Sequence, residues 1–173
     1  MIHISSQNSN SVLSKYTAEQ VQPNAVDLKV DKIFTISSDE FAISEDFKTH
    51  RGSTELLPVT TEFTKEHYWN LQPGTYEIIM EGEVEIGHGE AGWVVTRSTL
   101  NRNGLFITSG LYDSGYKGVM AGALHVNVGP ARIYKGTRVG QFLLFKAESL
   151  TQYDGDYGTG RYDIKYSTTV ANA

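Results

Sequence analysis

The chain has 173 residues, 39% hydrophobic and 20% charged, with a formal net charge of −5. That length suits one domain with a sizeable core, and the acidic balance gives no basic field for duplex nucleic acid or an acidic membrane. With no cysteine, disulfides, thiol nucleophiles and the zinc–thiolate sites of base deaminases are all excluded.

Residues 1–21 read as a leader: SSQNSNS at 5–11 is polar and low in complexity, and 14–21 suits a short helix capped by Ser14 or Thr17. No basic region precedes an apolar stretch, and no run of about 18 apolar residues exists. The expectation is a cytoplasmic protein, or one of the host cytoplasm if the source is viral. In VDLKVDKIF (26–34), Val26, Leu28 and Val30 alternate with Asp27, Lys29 and Asp31, the pattern of a half-buried strand. Residues 36–66 contain loop-like pieces and little periodicity.

From Trp69 the pattern sharpens. NLQPGTYEIIM sets a Pro-Gly turn before a strand, and GEVEIGHG alternates before ending in glycines. GWVVTR and ALHVNV are short apolar or alternating strands, and YKGTRVGQFLLF places a Lys-Gly turn before another. Short strands punctuated by Gly and Pro every ~8–12 residues predict an all-β sandwich or barrel. The β domain is expected over 22–160 and a tail over 161–173.

Four stretches of the second half carry chemistry: RSTLNRNGL (97–105), GLYDSGYKG (110–118), RVGQF (138–142) and YDGDYGTG (153–160). Arg97 offers a planar fork of donors with the Ser98 hydroxyl beside it, and Gln141 offers an amide N–H; all three suit phosphate oxygens. Asp113, on a tight hairpin, can orient or deprotonate a water, while backbone groups around Gly110 and Leu111 can read a base edge. Tyr116 offers a face to a sugar and Tyr157 a cover for a base. Plainer roles stand beside these. Asp113 and Gly115 also make an ordinary turn, Arg97 can pair with a surface carboxylate, and Gln141 suits an interior hydrogen bond. His125 reads as a strand residue and His88 as a loop residue.

With NAVDLKV (24–30) upstream, these stretches resemble the trimeric dUTPase / dCTP deaminase superfamily in order and spacing, over roughly residues 22–160. The resemblance implies a distorted β-barrel or jelly-roll-like dUTPase fold with short helical pieces, and a homotrimer with sites at subunit interfaces. QPNAVDLKV, WNLQPGTYEIIMEGEVEI and YDGDYGTG are similar to the deaminase branch, as is the position of Arg102. That branch, however, places a glutamate on the strand after the hairpin, where GVMAGALHVNVG (118–129) has Ala123 and no carboxylate. GLYDSGYKG is similar instead to the dUTPase third motif. The resemblance therefore implies dUTP hydrolysis to dUMP and pyrophosphate with Mg²⁺ on the phosphates. It gives Asp113 the water, Arg97, Ser98 and Gln141 the phosphates, Tyr116 the deoxyribose, Tyr157 the base, and Asp27 an indirect part at the metal. The rivals are dCTP deamination, with or without hydrolysis, an inactive deoxynucleotide-binding protein, and a purely structural β-sandwich.

Overall fold

A computed structural model describes residues 1–155 and 157. The alternating segments become strands: β1 (Val12–Leu13), β2 (Val26–Ile36), β3 (Ser53–Glu55), β4 (Val59–Thr60), β5 (His67–Leu71), β6 (Gly74–Glu85), β7 (Glu90–Thr96), β8 (Leu105–Thr108), β9 (Leu111–Tyr112), β10 (Lys117–Val126), β11 (Ala131–Tyr134) and β12 (Arg138–Lys146). Among the described residues, helix is confined to one 3₁₀ turn, Ala18–Gln20, and one short helix, α1 (Ser98–Arg102). Thr17 caps the 3₁₀ turn in a capping box with Gln20, so the expected helix over 14–21 is present in shortened form.

Among the described residues, nine strands form one antiparallel sheet along the path β8-β10-β6-β2-β12-β7-β9, with β1 beside β6 and β3 beside β2. Strands β8 and β9 are separated by only two residues in sequence, yet they stand at opposite ends of that path. Only a sheet rolled back on itself permits this. Side-chain hydroxyls stitch the seam. Thr96 of β7 receives the Ile107 N–H at 2.7 Å and donates to the Ile107 carbonyl at 3.0 Å, and Ser109 receives the Val94 N–H at 3.3 Å. A second sheet, β11-β5-β4, covers one side. The expected distorted all-β barrel is the observed fold.

Inside the roll lie Leu28, Ile33, Ile78, Met80, Met120, Leu124, Phe142 and Leu144, each at most 2% exposed. Gly92 of β7 is required there, because a side-chain carbon would collide with the Phe142 ring. Strand β2 shifts register between Val30 and Lys32. That bulge lets Val30 and Ile33, three apart, both point into the core.

The amino-terminal residues differ from the loose leader expected of them. Ile2 donates its N–H to the Leu144 carbonyl at 2.8 Å, and Ile4, Ser11 and Leu13 are buried. Low complexity in SSQNSNS hides a run of hydroxyl and amide donors, and these meet a buried acceptor, Glu90. No helix among the described residues is long and apolar enough to cross a membrane.

Candidate active site

Two clusters of polar side chains lie at opposite ends of the paired strands β7 and β12. At one end stands Asp27, fully buried. One of its oxygens lies 3.4 Å from Arg97 Nε and 3.4 Å from Arg138 Nη1, and the other accepts from Gln141 Nε2 at 3.0 Å. Its main-chain carbonyl takes the Gln20 side chain at 2.8 Å. A buried carboxylate is tolerable only with such partners. The two guanidinium side chains are 29% and 40% exposed, so each presents donors to solvent while leaning on Asp27. Two cations against one anion leave a local positive excess, which favours an anionic ligand.

Strand geometry builds this cluster. Arg97 follows the last residue of β7, and its N–H is held by the Val139 carbonyl at 3.1 Å. Ser98 and Arg102 open and close α1, both exposed and four residues apart, so they share a helix face. Arg138 is a site residue that sequence reasoning passed over. In a regular strand, residues three apart face opposite ways. Here the β12 register against β2 shifts between Arg138 and Gly140, and that irregularity turns both Arg138 and Gln141 toward Asp27.

At the other end is the Asp113 hairpin. Strand β9 pairs with β7 as Gly92↔Tyr112 and Trp93↔Leu111 and ends the sheet path, so among the described residues its outer backbone edge faces no further strand. Gly110 and Leu111 are exposed along that edge. The turn is closed by the Tyr116 N–H on the Asp113 carbonyl at 2.9 Å, with Gly115 in a left-handed conformation (φ +86°). Asp113 is exposed, and among the described residues none donates a hydrogen bond to its carboxylate. It borders a cleft of about 460 Å³ with Glu90, Leu111, Ser114 and residues 147–154.

The aromatic residues of the hairpin mostly support it. Tyr116 is 6% exposed, enclosed by Tyr112 and Tyr153 at ring-centroid distances of 5.0 and 5.3 Å, and its hydroxyl donates to the Val119 carbonyl. It is thus a wall of the hairpin rather than the open platform expected for a sugar. Burial, reinforced by neighbouring Tyr116, holds the Tyr112 phenol well above its ordinary range, so it stays neutral. Tyr157 is 58% exposed, anchored by its N–H on the Tyr153 hydroxyl at 3.1 Å, with Lys48 Nζ 5.4 Å from its ring centre. The rest of the expected lid, 158–160, lies outside the described residues, as does the tail at 161–173.

One chain does not bring the two clusters together. Arg97 lies five residues beyond Gly92, which pairs beside the hairpin; at ~3.3 Å per residue that is a span of roughly 16 Å. Asp27, expected to serve a metal indirectly, is enclosed by two guanidiniums and an amide. That donor set fits an anchor for arginines and does not fit a metal ligand, and the described residues offer no group of three acidic or histidine side chains placed for one.

With this geometry in hand, the comparisons with known proteins are decisive at family level. A family model described as dCTP deaminase-like matches residues 2–147. The chain belongs to that family. It is 32% identical, over 147 residues, to a protein of Halobacterium salinarum named probable deoxyuridine 5'-triphosphate nucleotidohydrolase, covering 85% of this chain and 88% of that one. It is 26% identical over 155 residues to a dCTP deaminase, dUMP-forming, of Bifidobacterium longum, covering 87% and 79%. Among solved structures, the 2'-deoxycytidine 5'-triphosphate deaminase of Agrobacterium tumefaciens superposes with a TM-score of 0.55 at 14% identity; the match covers 78% of this chain and 43% of that one, which supports the fold. The relatives of this chain thus carry both names. On β10, Ala123 is half-buried, opposite Thr108 of β8 and Glu77 of β6. His125 sits between the hydroxyls of Thr75 and Thr108, at 3.4 and 3.1 Å, and stacks on Phe106.

Proposed function

We propose that the protein hydrolyses dUTP to dUMP and pyrophosphate. The observation that carries this reading is the exposed carboxylate of Asp113, to which no described residue donates, on a hairpin whose backbone edge is open among those residues, in a chain whose β10 carries Ala123 and no carboxylate. Asp113 orients a water toward the α-phosphorus. The water oxygen bonds to that phosphorus as the bond to the α–β bridging oxygen breaks; the water's proton passes through the Asp113 carboxylate to solvent, and pyrophosphate leaves. Arg97, Arg138, Ser98 and Gln141 hold the phosphates, with Arg102 on the same face of α1. The outer edge at Gly110 and Leu111 reads the uracil. Tyr116 backs the deoxyribose, and Tyr157 covers the base.

The separation of Asp113 from the arginines supports a homotrimer in which one chain supplies the hairpin and a neighbour the phosphate donors. Mg²⁺ enters as the counterion of the triphosphate, since the Asp27 cluster suits no resident cation. A second reading, deamination of dCTP joined to hydrolysis, draws on the deaminase relatives and on Glu77, which projects from β6 directly across from Ala123. Incubation with dUTP and separately with dCTP, each with Mg²⁺, separates the two. The expected products are dUMP and pyrophosphate from dUTP alone; ammonia released from dCTP would overturn the hydrolase-only reading.

A further inference from the structure

One fully buried acid has no part in the chemistry above. Glu90, at the start of β7, receives hydrogen bonds from Ser11 Oγ at 2.5 Å, the Asn10 N–H at 3.0 Å, Ser9 Oγ at 3.4 Å and Lys146 Nζ at 2.7 Å. Three of these four donors come from the amino-terminal arm, and Lys146 also holds the Asn8 carbonyl at 2.8 Å. A carboxylate this thoroughly enclosed is costly to build unless all its partners are fixed.

The same bonds run on to the catalytic hairpin. Ser11 Oγ, while donating to Glu90, accepts the Gly87 N–H at 2.9 Å. The Gly87 carbonyl accepts Ser114 Oγ at 3.2 Å, and Ser114 directly follows Asp113. On either side, the Gly115 N–H bonds the Ile86 carbonyl at 2.9 Å and the Ile86 N–H bonds the Tyr116 carbonyl at 2.8 Å. Packing says the same as the hydrogen bonds. A side-chain carbon at Gly87 would strike Asn10 at 2.5 Å, so the arm lies directly against the backbone to which Ser114 bonds. Ser11 and Ser114 are 6% and 4% exposed, so both hydroxyls of the path are buried, while Gly87 between them is half-buried and Glu90 and Ser114 border the cleft.

We propose that Glu90 and Ser11 are positioning residues for Asp113, and that the amino-terminal arm is thereby part of the catalytic apparatus. Held by this brace, the Asp113 turn keeps one position relative to β7. Without it, the turn can drift while the phosphate donors, at the far end of the strand, stay in place. The prediction is a loss in kcat without a matching change in KM, because misplacement of about 1 Å can cost ~10²-fold in rate while leaving binding intact. This inference rests on the reading of Asp113 given above.

The test is a double-mutant cycle on the full-length protein, with dUTP turnover, KM and Tm measured for Ser11→Ala, Ser11→Thr, Asp113→Asn and the Ser11→Ala/Asp113→Asn pair. Expected are a roughly tenfold or greater fall in kcat for Ser11→Ala with KM within about twofold, recovery in Ser11→Thr, and no further loss when Ser11→Ala is added to Asp113→Asn. Full kcat in Ser11→Ala, or losses that multiply in the pair, would overturn the brace while leaving Asp113 intact. Full turnover in Asp113→Asn would instead sink the functional reading beneath it. Glu90→Gln, which keeps an acceptor for Ser11 and loses the charge facing Lys146, gives a second reading of the brace: a kcat fall that is absent in the Asp113→Asn background supports it, and an unchanged kcat counts against it.

Discussion

Asp27 and Glu90 are both fully buried carboxylates on neighbouring parts of one sheet, yet they are surrounded in opposite ways. Asp27 faces two arginines that remain 29% and 40% exposed, so its cluster carries a net positive charge directed outward. Glu90 faces one lysine, itself 53% exposed, and three donors from the amino-terminal arm, so its cluster is electrically neutral and carries no surplus cation. A buried acid with surplus cations thus suits an anion, as proposed at Asp27, and a buried acid with matched donors suits a brace, as proposed at Glu90. Burial alone does not distinguish them. The inventory of partners does.

Four experiments break or sharpen that contrast. The largest effect is expected at the hairpin, beside the Glu90 cluster. Asp113→Asn should lower dUTP turnover by ~10²–10⁴-fold while sparing affinity for a non-hydrolysable dUTP analogue, measured by calorimetry. Next comes Asp27→Ala, which leaves two guanidiniums facing each other. Both guanidiniums reach solvent, so the cost is that of the lost charge-assisted bonds, about 1.5–3 kcal/mol, to be read from denaturant unfolding.

Arg138→Ala keeps Asp27 paired to Arg97 and Gln141, so the fold should tolerate it. Loss of a charge-assisted hydrogen bond, about 1.5–3 kcal/mol, should appear as dUTP affinity weakened by tenfold or more. The smallest effect belongs to Glu90. Burial pushes its carboxyl up, but bonds from Lys146, Ser11 and Asn10 outweigh that and hold it below its ordinary value of 4.5. A lowered carboxyl contributes stability that is full above the ordinary value and fades as pH falls through the folded one. Wild-type Tm should therefore drop below about pH 4.5 more steeply than that of Glu90→Gln, and parallel curves would remove the charge from the account.

Much of the fold could be read in the sequence where period two is clean. Val26, Leu28 and Val30, then Leu124 and Val126, all point inward as their alternation predicts. Reading failed wherever the period breaks. The register shifts beside Val30 and Arg138 change which face a residue takes, and no hydropathy pattern announces an extra residue in a strand. That is why Arg138 escaped notice while Gln141 did not. Asp27 was placed on the polar side of its strand, which is correct for direction, but that side is covered by Arg97, Gln141 and the 3₁₀ turn. The polar arm was misread for a related reason: Ser9, Asn10 and Ser11 resemble a loose segment until the acceptor that orders them, some 80 residues away, is known.

The central claim is that Asp113 of one chain completes the phosphate site of another. Co-expression of Arg97→Ala chains with Asp113→Asn chains tests it directly, since each variant alone should be nearly inactive toward dUTP. If sites are shared between chains, mixed assemblies contain some sites with both native residues, and dUMP release should return to a measurable fraction of wild type. Mixed assemblies that form and remain as inactive as either variant alone would contradict the account.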